Sequence, residues 1–434
     1  MIARLLQGLA VVLLAVVPAR AMDIQRVVSS GGVEAWLVEN HAVPMIAVEL
    51  GFHGGSRNEA AGKEGTATMM AGLLDEGAGP YDSLAFQRKL EAHAIAIDFD
   101  AGRDTVTGSL RTLTAHRDEA FDMLRLALTE PRFDDEPVAR VRGQMHSLIL
   151  RQNEDPDDVA VKAWFETMYP GHAYARPTLG TDASVDAIAV GDLKSFLAHR
   201  LARDQLKITV VGDIDAATLK GLLDKTFGKL PAKADPDSVP EVSAPAKSKR
   251  VVIKKDNPQT VVVFGGAGLK RDDPEFYAAT VLNYILGGAG FASRLTEEVR
   301  EKRGLAYSVY TSLMPLDHSG AFIGSVGTEN GHVKESLAII EKEIAKLLAE
   351  GATAEELKNA KTYLTGSYPL RFDTSGKIAQ ELVGIQLEDL GIDYVNKRNA
   401  LIEAVTLDDL KRVAPRFLQP DRLIETIVGE PKGL

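Results

Sequence analysis

Residues 192–212 read DLKSFLAHRLARDQLKITVVG, and residues 409–429 read DLKRVAPRFLQPDRLIETIVG. The two stretches stand 217 residues apart and align without a gap. Asp192-Leu193-Lys194 falls on Asp409-Leu410-Lys411, Leu201 on Leu418, Asp204 on Asp421 and Leu206 on Leu423. Thr209 falls on Thr426 and Val211-Gly212 on Val428-Gly429, and the same shift sets Asn40 on Asn257 and Gly51 on Gly268. Self-similarity at so long a period signals a duplicated domain, since two copies do not make a solenoid. Between the copies, Lys229 to Arg250 reads KLPAKADPDSVPEVSAPAKSKR, with four prolines and almost nothing to bury. It reads as a linker. The division is therefore a first domain over 22–230, a linker over 231–250 and a second domain over 251–434.

Within each half the pattern runs strands, helices, then a last strand. Ala47–Phe52 and Thr260–Phe264 read as short strands, and β-branched Thr209–Val211 ahead of Gly212 as the returning one. Leu337, Ile340, Ile344 and Leu347 recur at helical spacing, and Gly351 closes that helix. Thr353 with Glu356 forms a capping box for the next. Strands and helices mix without strict alternation, which favours α+β: two similar domains, each a mainly antiparallel sheet packed with helices.

Composition narrows the class. The chain has 434 residues and no cysteine, so disulfides, thiolate zinc sites and cysteine nucleophiles are excluded. Met1–Arg4 is a short basic start, Leu5–Val17 an apolar run and Ala19-Arg20-Ala21 a small-x-small cleavage site. This reads as a signal peptide over 1–21, cleaved near Ala21, leaving a mature start at Met22. The apolar run is too short for a comfortable membrane span. An exported, cysteine-free chain suits a bacterial periplasm. Net charge is −11, and removal of Arg4 and Arg20 with the signal makes it −13, a poor surface for nucleic acid.

One stretch carries a resemblance. Gly54-Gly55-Ser56-Arg57-Asn58-Glu59, followed by Gly62-Lys63-Glu64-Gly65-Thr66-Ala67, resembles the entry to the active-site helix of the pitrilysin/insulinase superfamily of zinc peptidases. Tyr169-Pro170-Gly171-His172-Ala173-Tyr174, Thr178-Leu179-Gly180, Leu286-Gly287-Gly288 and Ser293-Arg294-Leu295 resemble further family segments. The family's inverted motif, His-x-x-Glu-His, binds zinc through its histidines and activates water through its glutamate. Here its positions hold Thr68, Ala71 and Gly72. The family's third ligand, a glutamate some 75 residues on, falls near Met145–Leu150, and no acidic residue lies between Glu136 and Glu154. The resemblance therefore implies no zinc in this chain, because a catalytic site needs at least three protein ligands.

Arg300–Val309, REKRGLAYSV, is similar to the family's second functional element, an arginine and a tyrosine seven residues apart. By that spacing the pair is Arg300 and Tyr307. The resemblance implies that they stabilise the scissile carbonyl oxygen from the partner half of a clamshell. It points to the non-catalytic subunit of a bacterial two-chain member, related to the subunits of mitochondrial processing peptidase. Zinc would then sit in a homologous partner carrying His-x-x-Glu-His, with peptides or unfolded segments as substrate, and this chain alone would be inactive. The alternative is a non-enzymatic peptide-binding or scaffold protein on the same fold.

Plainer readings stand beside these. For Arg300 and Tyr307 they are a surface arginine at a helix end and a core tyrosine. Arg294 and Arg303 read as structural or solvated, His53 as a loop or core residue and His172 as structural. Glu297-Glu298 reads as a solvated helix face. Gly287, Gly288 and Gly290 lack the lysine and serine or threonine of a phosphate loop and read as a tight turn. The alternation in Ala94–Asp98 reads as an ordinary internal strand, with an edge strand open to substrate as the other option.

Overall fold

The computed structural model describes residues 22–288 and 292–434. The expected signal segment and Gly290 lie outside the described residues. Eleven strands among the described residues form two sheets. The first contains β1 (Gln25–Val28), β2 (Glu34–Glu39), β3 (Met45–His53), β4 (Ala96–Ala101), β5 (Thr105–Leu113) and β6 (Leu206–Gly212), in the order β1-β2-β6-β3-β5-β4. The second contains β7 (Lys249–Lys254), β8 (Gln259–Ala267), β9 (Ala306–Leu316), β10 (Ser319–Glu329) and β11 (Ile424–Gly429), in the order β7-β11-β8-β10-β9.

Remove β1 and the two orders are the same. Each sheet has one parallel pair, β2 with β6 and β7 with β11, and is otherwise antiparallel. The duplication is therefore real at the level of topology, but its register slips. Thr209 pairs with Glu49, and its counterpart Thr426 pairs with Val263. The equivalent of Gly51 is thus Gly265, three residues short of the Gly268 that the ungapped shift selects. β4 is also not internal: among the described residues it pairs only with β5 and forms the outer edge of its sheet. Alternation records that one face is buried, and an edge strand over a core alternates as well as an inner one does.

The last strand of each half is apolar on both faces because both faces are covered. In β6, Ile208 and Val210 enter the first half's own core with Leu219, Leu223 and Phe227. Val211, on the other face, packs with Trp36 and Val38 against Ala379, Leu382 and Ile385 of the helix Ser375–Leu387, which belongs to the second half. The mirror arrangement holds for β11. Ile427 joins its own core, while Ile424 and Val428 pack with Val261 and Val263 under Ala160, Trp164 and Met168 of the first half's helix Pro156–Met168.

Each sheet is therefore roofed by a helix from the other half. The repeated threonines mark the crossings. Thr209 Oγ1 is 2.7 Å from Gln386 Nε2, which also donates to the Ile208 carbonyl at 2.9 Å, and Thr426 Oγ1 donates to the Ala160 carbonyl at 2.8 Å. These bonds satisfy polar groups that would otherwise be buried unpaired.

The segment 231–248 has neither helix nor strand, and β7 begins at Lys249. It is tacked to both halves. Asp235 N–H donates to the His199 carbonyl at 2.9 Å, Val242 N–H donates to the His318 carbonyl at 3.0 Å, and His172 Nε2 lies 2.9 Å from the Pro240 carbonyl.

Candidate functional site

The degenerate motif sits on the short helix Thr66–Ala71. Gly65 enters it with a left-handed φ of 97°, and a Cβ there would stand 2.7 Å from the Leu179 carbonyl. Gly180 (φ 76°) is as tightly placed, with a Cβ falling 2.1 Å from the Glu64 carbonyl. The two loops quoted from the sequence thus meet backbone to backbone, which only glycine permits. Glu59 caps the helix: its carboxylate accepts from Gly65 N–H at 3.1 Å and Ala67 N–H at 2.7 Å. Burial outweighs those two bonds and pushes the Glu59 carboxyl up to about 8. Arg176 ties the approach, donating to the carbonyls of Glu59 and Arg57 at 2.9 and 3.0 Å.

What the helix presents is not a metal site. Thr68 spends its hydroxyl on the Thr178 carbonyl at 2.9 Å, Ala71 is buried, and Gly72 ends the helix without a side chain. Across from Gly72 stands Val141 of the helix Asp135–Glu154, its Cγ1 3.7 Å from where a Cβ of residue 72 would be. Val141 is therefore the side chain packed against position 72. Met145 packs under Gly65, His146 pairs with Asp182 and Asp186, and Leu148 and Leu150 are exposed. A hydroxyl already engaged, a methyl, a hydrogen and an isopropyl group are no ligand set for zinc. Among the described residues no three His, Cys, Asp or Glu side chains are grouped to hold a metal ion.

Arg300 and Tyr307 are brought together. Arg300 lies on the π-helical turn Thr296–Glu301 and Tyr307 near the start of β9, with the guanidinium carbon 5.3 Å from the ring centroid. The tyrosine is not a core residue: it is 83% exposed, and Tyr310 on the same strand is 53% exposed. β9 is the outer edge of its sheet. The neighbouring arginines are structural. Arg294 grips Glu356 at 2.6 and 2.9 Å and the Gly351 carbonyl at 3.0 Å, locking the capping box that Thr353 and Glu356 form. Arg303 and Lys302 hold Glu298 at 2.7 and 2.6 Å, and those bonds keep its carboxyl at about 2.

Arg57 stands in the sequence only as part of a motif, yet it is the centre of a charge cluster. It is 5% exposed. Its guanidinium meets Asp104 of the first half at 2.6 Å, Asp237 of the intervening segment at 2.9 Å and Asp317 of the β9–β10 turn at 2.9 Å. The Tyr174 hydroxyl donates to Asp104 at 2.7 Å and accepts from His318 N–H at 3.0 Å. His318 also reaches Asp237 at 3.1 Å, and His53 lies 3.7 Å from Asp317. One buried cation thus joins both halves and the segment between them. A charged residue between glycines, Gly55 and Gly62, was the only signal for it.

Residues 35–182 match the family described as Insulinase (Peptidase family M16), and residues 187–364 the one described as Peptidase M16 inactive domain. A Helicobacter pylori protein named Non-peptidase homolog YmxG is 31% identical over 340 residues, covering 77% of this chain and 78% of that protein. The chain belongs to the M16 peptidase family. A second relative, the Uncharacterized zinc protease SCO5738 of Streptomyces coelicolor, is 29% identical over 373 residues, 83% of this chain and 80% of its own. The crystal structure of a peptidase M16 inactive domain from Pseudomonas fluorescens superimposes with a TM-score of 0.88 at 27% identity, covering 94% of this chain and 98% of that one. The duplicated sheets and crossed helices are thus the M16 arrangement, here on a chain whose motif helix lacks metal ligands.

Proposed function

We propose that this chain is the zinc-free subunit of an exported, heteromeric M16 peptidase. It would complete the substrate chamber of a partner that carries His-x-x-Glu-His, and present Arg300 and Tyr307 to the scissile carbonyl at the partner's zinc. The observation that carries this is the exposure of Tyr307. A tyrosine ring laid open on an edge strand, with a guanidinium beside it, has no packing role that explains it. A phenolic O–H and a permanently charged guanidinium suit the negative charge that develops on a carbonyl oxygen during peptide hydrolysis. Peptides or unfolded segments are the substrate class, and export to the periplasm belongs to the same reading; a mature protein beginning at Met22 by mass is its check.

The name of the Helicobacter relative favours a second reading, a peptide-binding or scaffold protein without a part in catalysis. Co-expression with a homologous zinc-motif chain decides between them. Under the first reading the pair hydrolyses peptides, a chelator abolishes the activity and each chain alone is inactive. Tyr307→Phe then lowers kcat of the intact complex by roughly 10²-fold, the scale for losing one oxyanion donor, with KM changed less. An unchanged kcat ends the catalytic-support reading and leaves the second.

A further inference from the structure

A recess of about 720 Å³ opens in the second half beside the outer edge of β9. Its size is in the range that seats small ligands or the end of a peptide. Ser312, Leu313 and Pro315 of β9 form one side, and the helices Phe276–Asn283, Ser375–Leu387 and Tyr394–Glu403 supply much of the rest.

Its walls carry three guanidinium groups and two carboxylates. Two of the cations are matched. Arg271 donates to Glu388 at 2.7 Å and to the Tyr394 hydroxyl at 2.9 Å, and lies 4.5 Å from the Phe276 ring centroid. Arg371 pairs with Glu381 at 3.2 Å. Arg398 is held differently. Its guanidinium covers the Tyr368 ring at 4.2 Å, and its Nη1 donates to the Leu364 carbonyl at 2.8 Å and to Asn399 Oδ1 at 3.1 Å, both neutral acceptors. Burial pushes the Arg398 guanidinium below the ordinary arginine range. Among the described residues the buried hydroxyl of Tyr368 has no hydrogen-bond partner. A half-buried cation whose two hydrogen-bond acceptors are neutral costs free energy that an anion beside it would recover. A carboxylate fits the planar guanidinium fork best.

We propose that this recess binds the C-terminal carboxylate of a peptide, with Arg398 as its principal cation. That the ligand is a peptide rests on the function proposed above and on the neighbouring strand. Among the described residues β9 pairs only with β10; Asn283 Nδ2 occupies the Thr311 carbonyl at 3.3 Å, and an extended chain could pair with the remaining outer backbone groups of the strand. Pro315, which has no N–H, ends that edge at the recess. From Tyr307 to Leu313 the strand runs about 20 Å. A peptide anchored at the recess would therefore place a bond about six residues from its carboxyl end beside Tyr307.

The test uses the isolated full chain and fluorescence anisotropy of N-terminally labelled decapeptides. Three probes share one sequence: a free C-terminal acid, its amide, and the amide with a glutamate as last residue. The free acid should bind about tenfold or more tighter than either amide, the loss expected for one charge-assisted contact. Arg398→Gln should bring the acid down to the level of the amide. Arg371→Gln, on the exposed rim, should weaken the acid less, and serves if Arg398→Gln fails to fold. Equal binding of acid and amide overturns the proposal, as does a glutamate amide that binds like the acid. Absence of binding by all three overturns it too, yet leaves the turnover test of Tyr307→Phe standing. Conversely, an unaffected Tyr307→Phe complex leaves acid-over-amide selectivity intact.

Discussion

Arg57→Met removes the cation that joins both halves while keeping most of the apolar stem. Three carboxylates converge on that guanidinium at 2.6–2.9 Å. Deleting one partner of a buried ion cluster costs about 3–5 kcal/mol, because charge is left buried and unpaired. The side chains of Asp237 and Asp317 are 34% and 38% exposed, so water recovers part of their loss, whereas that of Asp104 is 14% exposed and cannot be rehydrated as easily. The expected cost is therefore near the low end, about 3 kcal/mol. Urea unfolding followed by tryptophan fluorescence suits the question, since Trp36 and Trp164 lie in the two crossed-helix interfaces. With a urea m-value of about 3 kcal/mol/M or more, the midpoint should fall by up to about 1 M.

Acidification gives the sign. Burial works against the charge of Asp237, but the Val239 N–H and Arg57 hold its carboxyl well below the usual range. Burial likewise opposes Asp317, while His53 and Arg57 lower it. Depressed carboxylates add stability that is complete above their unfolded value of about 4 and fades as pH falls through the folded one. The deficit of Arg57→Met should thus narrow below about pH 4. A wild-type midpoint for Arg57→Met at neutral pH, or a deficit that grows in acid, would refute the account of the cluster as the tie between the halves.

Other outcomes follow from the motif helix. Metal analysis of the purified chain should find no stoichiometric zinc. Thr68→His, Ala71→Glu and Gly72→His together should remain weak binders until Val141→Glu is added; equal rescue by Leu148→Glu would show that the facing residue is misassigned. Glu59 has a raised carboxyl, so its contribution is complete below the unfolded value and lost as pH rises through about 8. Thermal unfolding should accordingly weaken between about pH 5 and 8 in the wild type and flatten in Glu59→Gln, which keeps an acceptor for the cap. Gly180→Ala forces a Cβ against the Glu64 carbonyl in a left-handed conformation and should cost about 2 kcal/mol or more by thermal or urea unfolding.

Much of the fold was legible. Thr209 and Thr426, Val211 and Val428, and the Thr353/Glu356 box announced the repeat and its local structure. What escaped was long-range. Nothing in TVVG or TIVG tells which helix covers the outer face of that strand, because a two-sided apolar strand looks the same whichever half supplies its roof. The slip from Gly268 to Gly265 lies in loops, where length is free to vary between copies. Alternation in Ala96–Ala101 cannot distinguish an edge from an inner position, since both bury one face. At the site, the loss of zinc ligands was plain from Thr68, Ala71 and Gly72, but the packing of Val141 against position 72 needed the helix arrangement to be seen. Tyr307 was picked by spacing, and its exposure came only from the sheet edge. The role of Arg57 was hidden, because its three carboxylates are 47, 180 and 260 residues away in sequence.

The crossed helices have a consequence for access. A chain whose two sheets each carry a helix from the other half cannot swing open at residues 231–248 without stripping both roofs and breaking the Arg57 cluster at once. Its halves are tied to each other as one jaw. Under the function proposed above, entry to a chamber built from this chain and a second molecule would be set by how the two molecules part and rejoin, so that loading of substrate would depend on subunit concentration, as a single-chain hinge never does.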